Sequence, residues 1–508
     1  MPTPPYIELH CHSGFSFLDG ASHPEELVFQ ALELGYPAMA LTDHNGLYGS
    51  MEFAQAARAE GLQPITGAEV TVALDIAGIP EGLDGLSRGS LDDPDGDPLA
   101  RGCHMTLLAE TPTGYANLCR LLSEAHHQSE RGWPTLLLSS LFARTEGLVS
   151  LTGCRRGPLS RALEDSVATA EFLARRLHAA FGPRGLFVEL HDNEQKGDGY
   201  RKRSLGRLAD RLGIPVVATG NVHYHRPERH RLQDVMVAIR NRTTLNGSHE
   251  QRRANARFYL AGPEEMAHRF RSRPDAVAHT LEISERCAAF DLTKDLGYTF
   301  PDFDGSDRGG AIETLTAVCL AKLDERYRGS KLENEARDRL HQELKLVDCH
   351  GLSGFFLVYR DIMELARDVA AEIRGGSLRA HAGLPPGRGR GSSVSSIICY
   401  LIGLSHVDPV KTNLFLGRFL NEAMRSVPDI DLDFPRDIRE ELILRVYKRY
   451  GSEHAGLVCT FPTYRRKSTL REIGKALDLP MGDLEKISKL ADRHSGGGLL
   501  AELERLPE

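Results

Sequence analysis

A chain of 508 residues is too long for one ordinary domain and predicts about two to four. Its 41% hydrophobic and 26% charged content belongs to a globular protein and excludes a fibrous or disordered one, and no apolar run reaches bilayer-spanning length. A net charge of −8 argues against a uniformly basic nucleic-acid binder but leaves room for a local basic stripe.

The opening, MPTPPYIELHCH, has no basic segment followed by an apolar one, so no secretion signal is expected. Nine scattered cysteines without a CxxC pair fit reduced thiols in a cytoplasmic protein. No internal repeat is present. From residue 6 to about 225, short apolar runs alternate with amphipathic stretches. The runs are YIEL, AMALT, PITGAEV, MTLLAE, LVSLT, LFVEL and IPVVAT; helical spacing is clear in PEELVFQALELG and VATAEFLARRLHAAF. Alternating strand and helix predicts an α/β parallel sheet or barrel. Residues 77–102, rich in Gly, Pro and Asp, read as a surface insertion, and 300–310 as a domain boundary. A Gly-rich loop covers 375–393, followed by VPDIDLDFPRD and a basic helical region.

Polar residues close most of the N-terminal strands. YIEL runs into His10 and His12, AMALT into Asp43 and His44, PITGAE ends at Glu69, LVSLTG at Cys154, and IPVVATG runs into Asn221 and His223. His104 instead opens its strand. Strand ends of an α/β barrel meet on one rim, so these side chains should converge with the ligand types of a multinuclear zinc or manganese site. A lone histidine on a strand is more often a satisfied core or surface residue; repetition over independent strands favours the cluster.

ELHCHSGFSFLDG, LTDHNGLYG and ITGAEV resemble the polymerase-and-histidinol-phosphatase (PHP) domain. The resemblance implies a seven-stranded distorted α/β barrel with up to nine metal ligands. Matched motif by motif, these would be His10, His12, Asp19, His44, Glu69, His104, Cys154, Asn221 and His223, holding Zn²⁺ or Mn²⁺. Metal-binding members usually carry Asp where Asn221 stands. Asn can ligate through its carbonyl but brings no charge, so altered metal binding is expected. The bland alternative is a structural barrel whose histidines satisfy one another.

PPGRGRGSSVSSIICYLIGL passes from Gly and Arg through Ser into an apolar helical run. Such a helix start, with Arg388, Arg390 and the hydroxyls of Ser392, Ser393, Ser395 and Ser396, suits phosphate, although it is no Walker A loop and, taken alone, reads better as a flexible linker. About 40 residues on, Asp429, Asp431 and Asp433 alternate with Ile430, Leu432 and Phe434. On a strand the carboxylates would share one face, ~7 Å apart, a spacing that can straddle two Mg²⁺ ions ~3.5–4 Å apart. An EF-hand loop fails because Phe434 occupies the position that needs Gly. A solvated strand face is the remaining alternative.

Together, the GRGRGSS loop, VPDIDLDF and HAGLVCTFPTYRRKSTLREIGKALDLP resemble the C-family DNA polymerases, the bacterial DNA polymerase III alpha subunits. TGCRRGPLSRAL and ATGNVHYHRPERHRLQDVMVAIRNRTTL resemble their error-prone branch. The resemblance implies a PHP-type domain over 1–296, an α+β palm over 297–434 and the start of a helical thumb over 435–508. It also implies two-metal phosphoryl transfer from dNTPs to a primer 3′-hydroxyl, with Asp429 and Asp431 holding Mg²⁺. Arg390, Gly391, Ser392 and Ser393 would cradle the nucleotide, with Lys411 and Arg418 as supporting cations and Asp433 structural. Lys448, Arg449, Arg465, Arg466 and Lys467 would grip primer–template DNA. A sliding clamp and repair or mutagenesis factors are further expected partners; no membrane is. The family's third palm aspartate is not found, so a fragment or half of a split polymerase, a poor polymerase alone, is expected. Alternatives are a PHP phosphoesterase or 3′-exonuclease, and a non-catalytic scaffold half.

Overall fold

The computed structural model describes residues 5–75, 102–296, 308–375, 386–421 and 428–491. Nearly all of the predicted insertion at 77–102, the boundary stretch up to residue 307 and much of the Gly-rich loop lie outside the described residues. The chain divides into two compact units, Met1–Gly297 with Thr463–Glu508, and Tyr298–Pro462.

In the first unit a seven-stranded mixed sheet runs β1 (Ala38–Leu41), β2 (Gln63–Ala73), β3 (Cys103–Ala109), β5 (Leu148–Leu151), β6 (Leu186–His191), β7 (Val216–Thr219), with β4 (Leu136–Leu137) pairing the far end of β2. β1–β2, β5–β6 and β6–β7 are parallel; β2–β3 and β3–β5 are antiparallel. The segment predicted as the first strand forms isolated parallel bridges instead, Glu8 to Met39 and Cys11 to Val222. Those bridges join the two edges of the sheet, which curls into the expected PHP-type barrel.

Both faces of the strands are buried. Ala38 and Ala40 of β1 join one apolar cluster while Met39 and Leu41 join another, the alternation of a strand covered on both sides. Helices cover the sheet with an apolar stripe. In Pro24–Glu33, Pro stands in the first turn with Glu25 and Glu26, and Leu27, Val28 and Ala31 are buried. Val167–Gly185 carries Ala170, Leu173, Ala174 and Leu177 inward, at the predicted spacing, and kinks at Gly182, whose φ is +72°.

In the second unit, helices Arg308–Tyr327, Glu333–Cys349 and Ser353–Ile373 enclose the short helix Ile397–Leu401. Leu315, Leu340, Phe356, Ile398, Leu404 and Ile430 form the centre of its core. A two-stranded antiparallel sheet joins β8 (Arg388–Arg390) to β9 (Asp431–Asp433). Region 435–508 divides between the units: helix Arg436–Tyr450 packs on Ser353–Ile373 in the second, while Arg466–Ala476 packs on His230–Arg240 in the first. The Leu245 N–H donates to the Ala476 carbonyl at 2.8 Å. All nine cysteines are free, and no helix among the described residues is long and apolar enough to cross a membrane.

Candidate functional site

The barrel rim gathers the nine residues matched motif by motif to PHP ligands, Asp19 among them although it closes no strand. β3 runs antiparallel to β2, with His104 paired to Thr71, so the start of β3 lies where parallel strands end. That places His104 beside Glu69 although it opens its strand. Gly153 permits the approach of the next segment: its φ is +82°, and a Cβ there would overlap the His104 carbonyl.

Glu69 is the hub. Its carboxylate lies 3.1 Å from His10 Nε2, 3.3 Å from His12 Nε2, 2.6 Å from His44 Nδ1 and 3.3 Å from His104 Nδ1. Asp19 is a second hub. Its Oδ2 lies 2.9 Å from His223 Nε2 and 3.2 Å from His44 Nε2, and its carboxylate accepts from Arg240 at 2.9 Å and from both terminal nitrogens of Arg253 at 3.0 and 3.1 Å. Cys154 and Asn221 line the same cavity, about 470 Å³ in volume, with Asp19, His44, Glu69 and His223. Asn221 sits at φ +49°, a left-handed conformation that Asn tolerates, and its Oδ1 is buried without a hydrogen-bond partner.

The imidazole tautomers follow from the acceptors around them. His12 Nδ1 lies 3.0 Å from the Val222 carbonyl, and His223 Nδ1 2.8 Å from the Asn221 carbonyl. A carbonyl only accepts, so both Nδ1 atoms carry hydrogen. Burial, reinforced for His12 by His44 and for His223 by Arg253, lowers both pKa values, His12 well below its ordinary range and His223 to about 4. Both rings are therefore neutral at pH 7, and their bare Nε2 lone pairs face carboxylate oxygens. Lone pair against carboxylate at about 3 Å is repulsive unless a cation lies between them, so the donor set fits a metal. The buried His223 Nε2, His10 Nε2, His104 Nε2 and Glu69 Oε1 also lack hydrogen-bond partners of good geometry.

The other groups titrate in opposite senses. Burial opposes charge on His10 and His44, but Glu189 and Glu69 push His10 up to about 10, and Glu69 with Asp19 pushes His44 up to about 9. Burial likewise opposes charge on Glu69 and Asp19; the surrounding histidines hold Glu69, and Arg253 with His223 hold Asp19, well below the usual carboxylate range. Burial and Glu69 push the Cys154 thiol far up. Three residues of this cluster were not among the nine expected ligands: Arg240, Arg253 and Glu189. The signal for Glu189 was present, because LFVELH ends in Glu and His like its sister strands.

In the second unit β9 pairs residue by residue with β8: Arg388 with Asp433, Gly389 with Leu432, Arg390 with Asp431. Ile430 is buried, and Leu432 and Phe434 pack on the core, while Asp429 and Asp433 are exposed, as strand alternation predicts. Arg390 Nη1 lies 3.5 Å from Asp431, and its Nε 3.2 Å from Asp433. Gly391 and Ser392 are exposed, and Gly391 has φ +76°.

The helix start after this turn is not open to an outside anion. Glu343, fully buried on Glu333–Cys349, accepts from Ser396 Oγ at 2.7 Å and from the Ile397 and Ile398 N–H groups at 2.9 and 3.2 Å. The protein's own carboxylate takes the place expected for phosphate. The Ser393 and Ser395 hydroxyls donate back to the carbonyls of Arg390 and Ser392. Lys411 is exposed, its N–H donating to Asp408; Arg418 lies in the turn Leu416–Arg418, its side chain outside the described residues. Arg449, expected on DNA, pairs with Asp361 at 3.3 Å, while Lys448, Arg465, Arg466 and Lys467 are exposed.

Two family models match the chain: PHP domain over residues 8–193 and Bacterial DNA polymerase III alpha NTPase domain over 313–506. Proteins named error-prone DNA polymerase are similar along almost the whole chain. That of Symbiobacterium thermophilum is 35% identical over 522 residues, covering 99% of this chain and 44% of its own. That of Nocardia farcinica is 36% identical over 551 residues, 100% of this chain and 46% of its own. That of Mycobacterium tuberculosis is 36% identical over 494 residues, 97% and 42%. The chain thus spans less than half the length of these relatives. With both domain matches in place and this likeness along its length, the chain carries a PHP domain and a DNA polymerase III alpha NTPase domain and is similar to the error-prone DNA polymerases.

Proposed function

We propose that this chain works as part of an error-prone DNA polymerase, adding dNTPs to the 3′-hydroxyl of primer–template DNA in translesion synthesis and repair. The observation that carries the reading is the β8–β9 pairing, which sets Arg390 and the following Gly–Ser turn beside Asp431. Asp429 and Asp431 would hold Mg²⁺, whose chemistry is to lower the pKa of the attacking hydroxyl and neutralise the triphosphate. Arg390 would leave the carboxylates for the triphosphate, with the exposed Gly391 and Ser392 supplying donors and Lys411 and Arg418 supporting charge, while the buried Ser393, expected to join them, would shape the turn through its bond to the Arg390 carbonyl. Because Glu343 fills the helix start, the triphosphate would be met by the exposed turn ahead of it. Exposed cations at Arg465, Arg466 and Lys467 in the first unit, and separately at Lys448 in the second, suit salt-sensitive, sequence-independent contacts to DNA phosphates. A sliding clamp and other repair factors, and a cytoplasmic location, fit this role.

The test is primer extension by the 508-residue chain with Mg²⁺ or Mn²⁺, beside Asp431→Asn. Extension that vanishes in the variant supports the assignment of Asp431. Extension that survives it refutes that assignment. No extension by either protein would show that the chain needs further polypeptide.

The barrel supports a second, additional activity, hydrolysis of a phosphoester. His10, His12, Asp19, His44, Glu69, His104, Cys154, Asn221 and His223 would hold Zn²⁺ or Mn²⁺ there, in a cavity whose lining includes Arg155 and Arg156. Phosphatase or 3′-exonuclease activity lost in His12→Ala and kept in Asp431→Ala would establish it.

A further inference from the structure

The histidines whose Nε2 atoms face the barrel carboxylates are oriented in two ways. His12 and His223 lean on backbone carbonyls, which substitution cannot remove. His10 leans on a side chain: its Nδ1 lies 2.7 Å from Glu189 Oε1. Glu189 is fully buried on β6 and stands outside the nine residues read as ligands. Its position is closely defined. Its own N–H donates to Thr152 Oγ1 at 3.0 Å, Thr219 Oγ1 donates to its Oε1 at 2.5 Å, and His191 Nε2 lies 2.9 Å from the same oxygen.

We infer that Glu189 is a positioning residue of the barrel metal centre. When Nε2 takes a metal in place of its proton, Glu189 holds His10 as the Nδ1–H tautomer with Nε2 directed toward Glu69, 3.1 Å away on the other side of the ring. The logic is that of a carboxylate behind a metal-bound histidine, which fixes ring orientation and raises ligand basicity. Thr106 Oγ1 also lies 3.3 Å from His10 Nδ1, but a hydroxyl can donate as well as accept and so does not choose the tautomer. A carboxylate does. Without Glu189 the ring is free to carry its hydrogen on Nε2, where it would point at Glu69 and exclude a cation. The inference rests on the reading of the barrel as a metal site.

His10, Glu189 and His191 also lie within metal-ligand spacing of one another, so a direct ligand role for Glu189 is the rival account. The two differ at His191. A positioning role predicts that His191→Ala costs far less metal affinity than Glu189→Ala, because Thr219 Oγ1 still holds the carboxylate, whereas a site built on Glu189 and His191 predicts a loss as large as that of Glu189→Ala.

The experiment titrates the metal-depleted 508-residue chain with Mn²⁺ by calorimetry and with Co²⁺ by its visible bands, and monitors folding by circular dichroism. Expected is weaker binding by about 10–100-fold in Glu189→Ala, with altered Co²⁺ bands. Glu189→Gln, whose amide oxygen still accepts from Nδ1–H, should fall in between, and it carries the test should the alanine variant fail to fold. Wild-type affinity in both Glu189 variants, or a parallel loss in His191→Ala, overturns the inference. A wild-type chain that takes neither ion overturns the metal reading and the inference with it.

Discussion

Glu343→Ala removes the carboxylate that anchors the turn beside β9, and its cost can be worked from the contacts. Two bonds are short, Ser396 Oγ at 2.7 Å and the Ile397 N–H at 2.9 Å; the Ile398 N–H at 3.2 Å and Arg339 Nε at 3.4 Å add less. A hydrogen bond to a charged group nets about 1.5–3 kcal/mol, and stripping one partner from a buried set leaves the others unsatisfied. Against this, burial pushes the Glu343 pKa up despite its donors, so its removal relieves a desolvation cost. The balance is a loss of about 3–4 kcal/mol from the second unit. Glu343→Gln, with one acceptor kept, should lose about half of that. Urea unfolding separates the units, because the single tryptophan, Trp133, lies in the first. Its fluorescence transition should stay in place. The helical signal of the second unit should melt earlier by roughly 1–2 M urea. A shift below about 0.5 M, or an equal shift at Trp133, would refute the anchoring argument.

Two further outcomes follow from the barrel electrostatics. In the metal-depleted chain His12 and His223 have lowered pKa values, so the stability tied to their neutral forms is complete above the ordinary histidine pKa of about 6.5 and fades as pH falls toward 4. His10 and His44 are raised to about 10 and about 9, so their contribution is complete below about 6.5 and fades as pH rises through those values. Melting temperature should therefore peak near neutrality and fall on both sides; a steady rise from pH 5 to 9 would contradict the assignment. Asn221→Asp adds a carboxylate at a buried oxygen without a hydrogen-bond partner, so Mn²⁺ affinity measured by calorimetry should rise about tenfold or more, with lower stability when the metal is removed.

Much of the barrel was legible because apolar runs of strand length are hard to place elsewhere. β1, β2, β3, β5, β6 and β7 fall on the predicted runs. YIEL was read as a full strand but forms only bridges, since Glu8 turns inward to bind Tyr6, the His10 N–H and the Gly220 N–H. β4 has two residues and no periodicity to detect. His104 looked out of step only because strand direction is not written in a local pattern. Glu343 had no local signal at all: it lies 53 residues before Ser396, on a helix that reads as an ordinary charged one. Arg240 and Arg253 were hidden in an arginine-rich stretch in which nothing local marks the two that reach Asp19.

The two carboxylate groups differ in the energetics of their partners, and that difference bears on what each can do. Asp19 and Glu69 are buried and held by partners on several elements, so their geometry is set before anything binds, and leaving them uncompensated would cost several kcal/mol, on the order of 3–5. Asp431 and Asp433 face the exposed Arg390, with side chains 45%, 54% and 60% accessible respectively, across 3.5 and 3.2 Å. Ion pairs that exposed are worth about 0–1 kcal/mol. Arg390 can therefore exchange its carboxylates for another anion at little cost, while the β8–β9 backbone pairing keeps it within reach of them. A strong pair would lock the turn shut; a weak one on a fixed strand pair leaves both the guanidinium and the carboxylates available, which is what a site that must take a triphosphate and cations together requires.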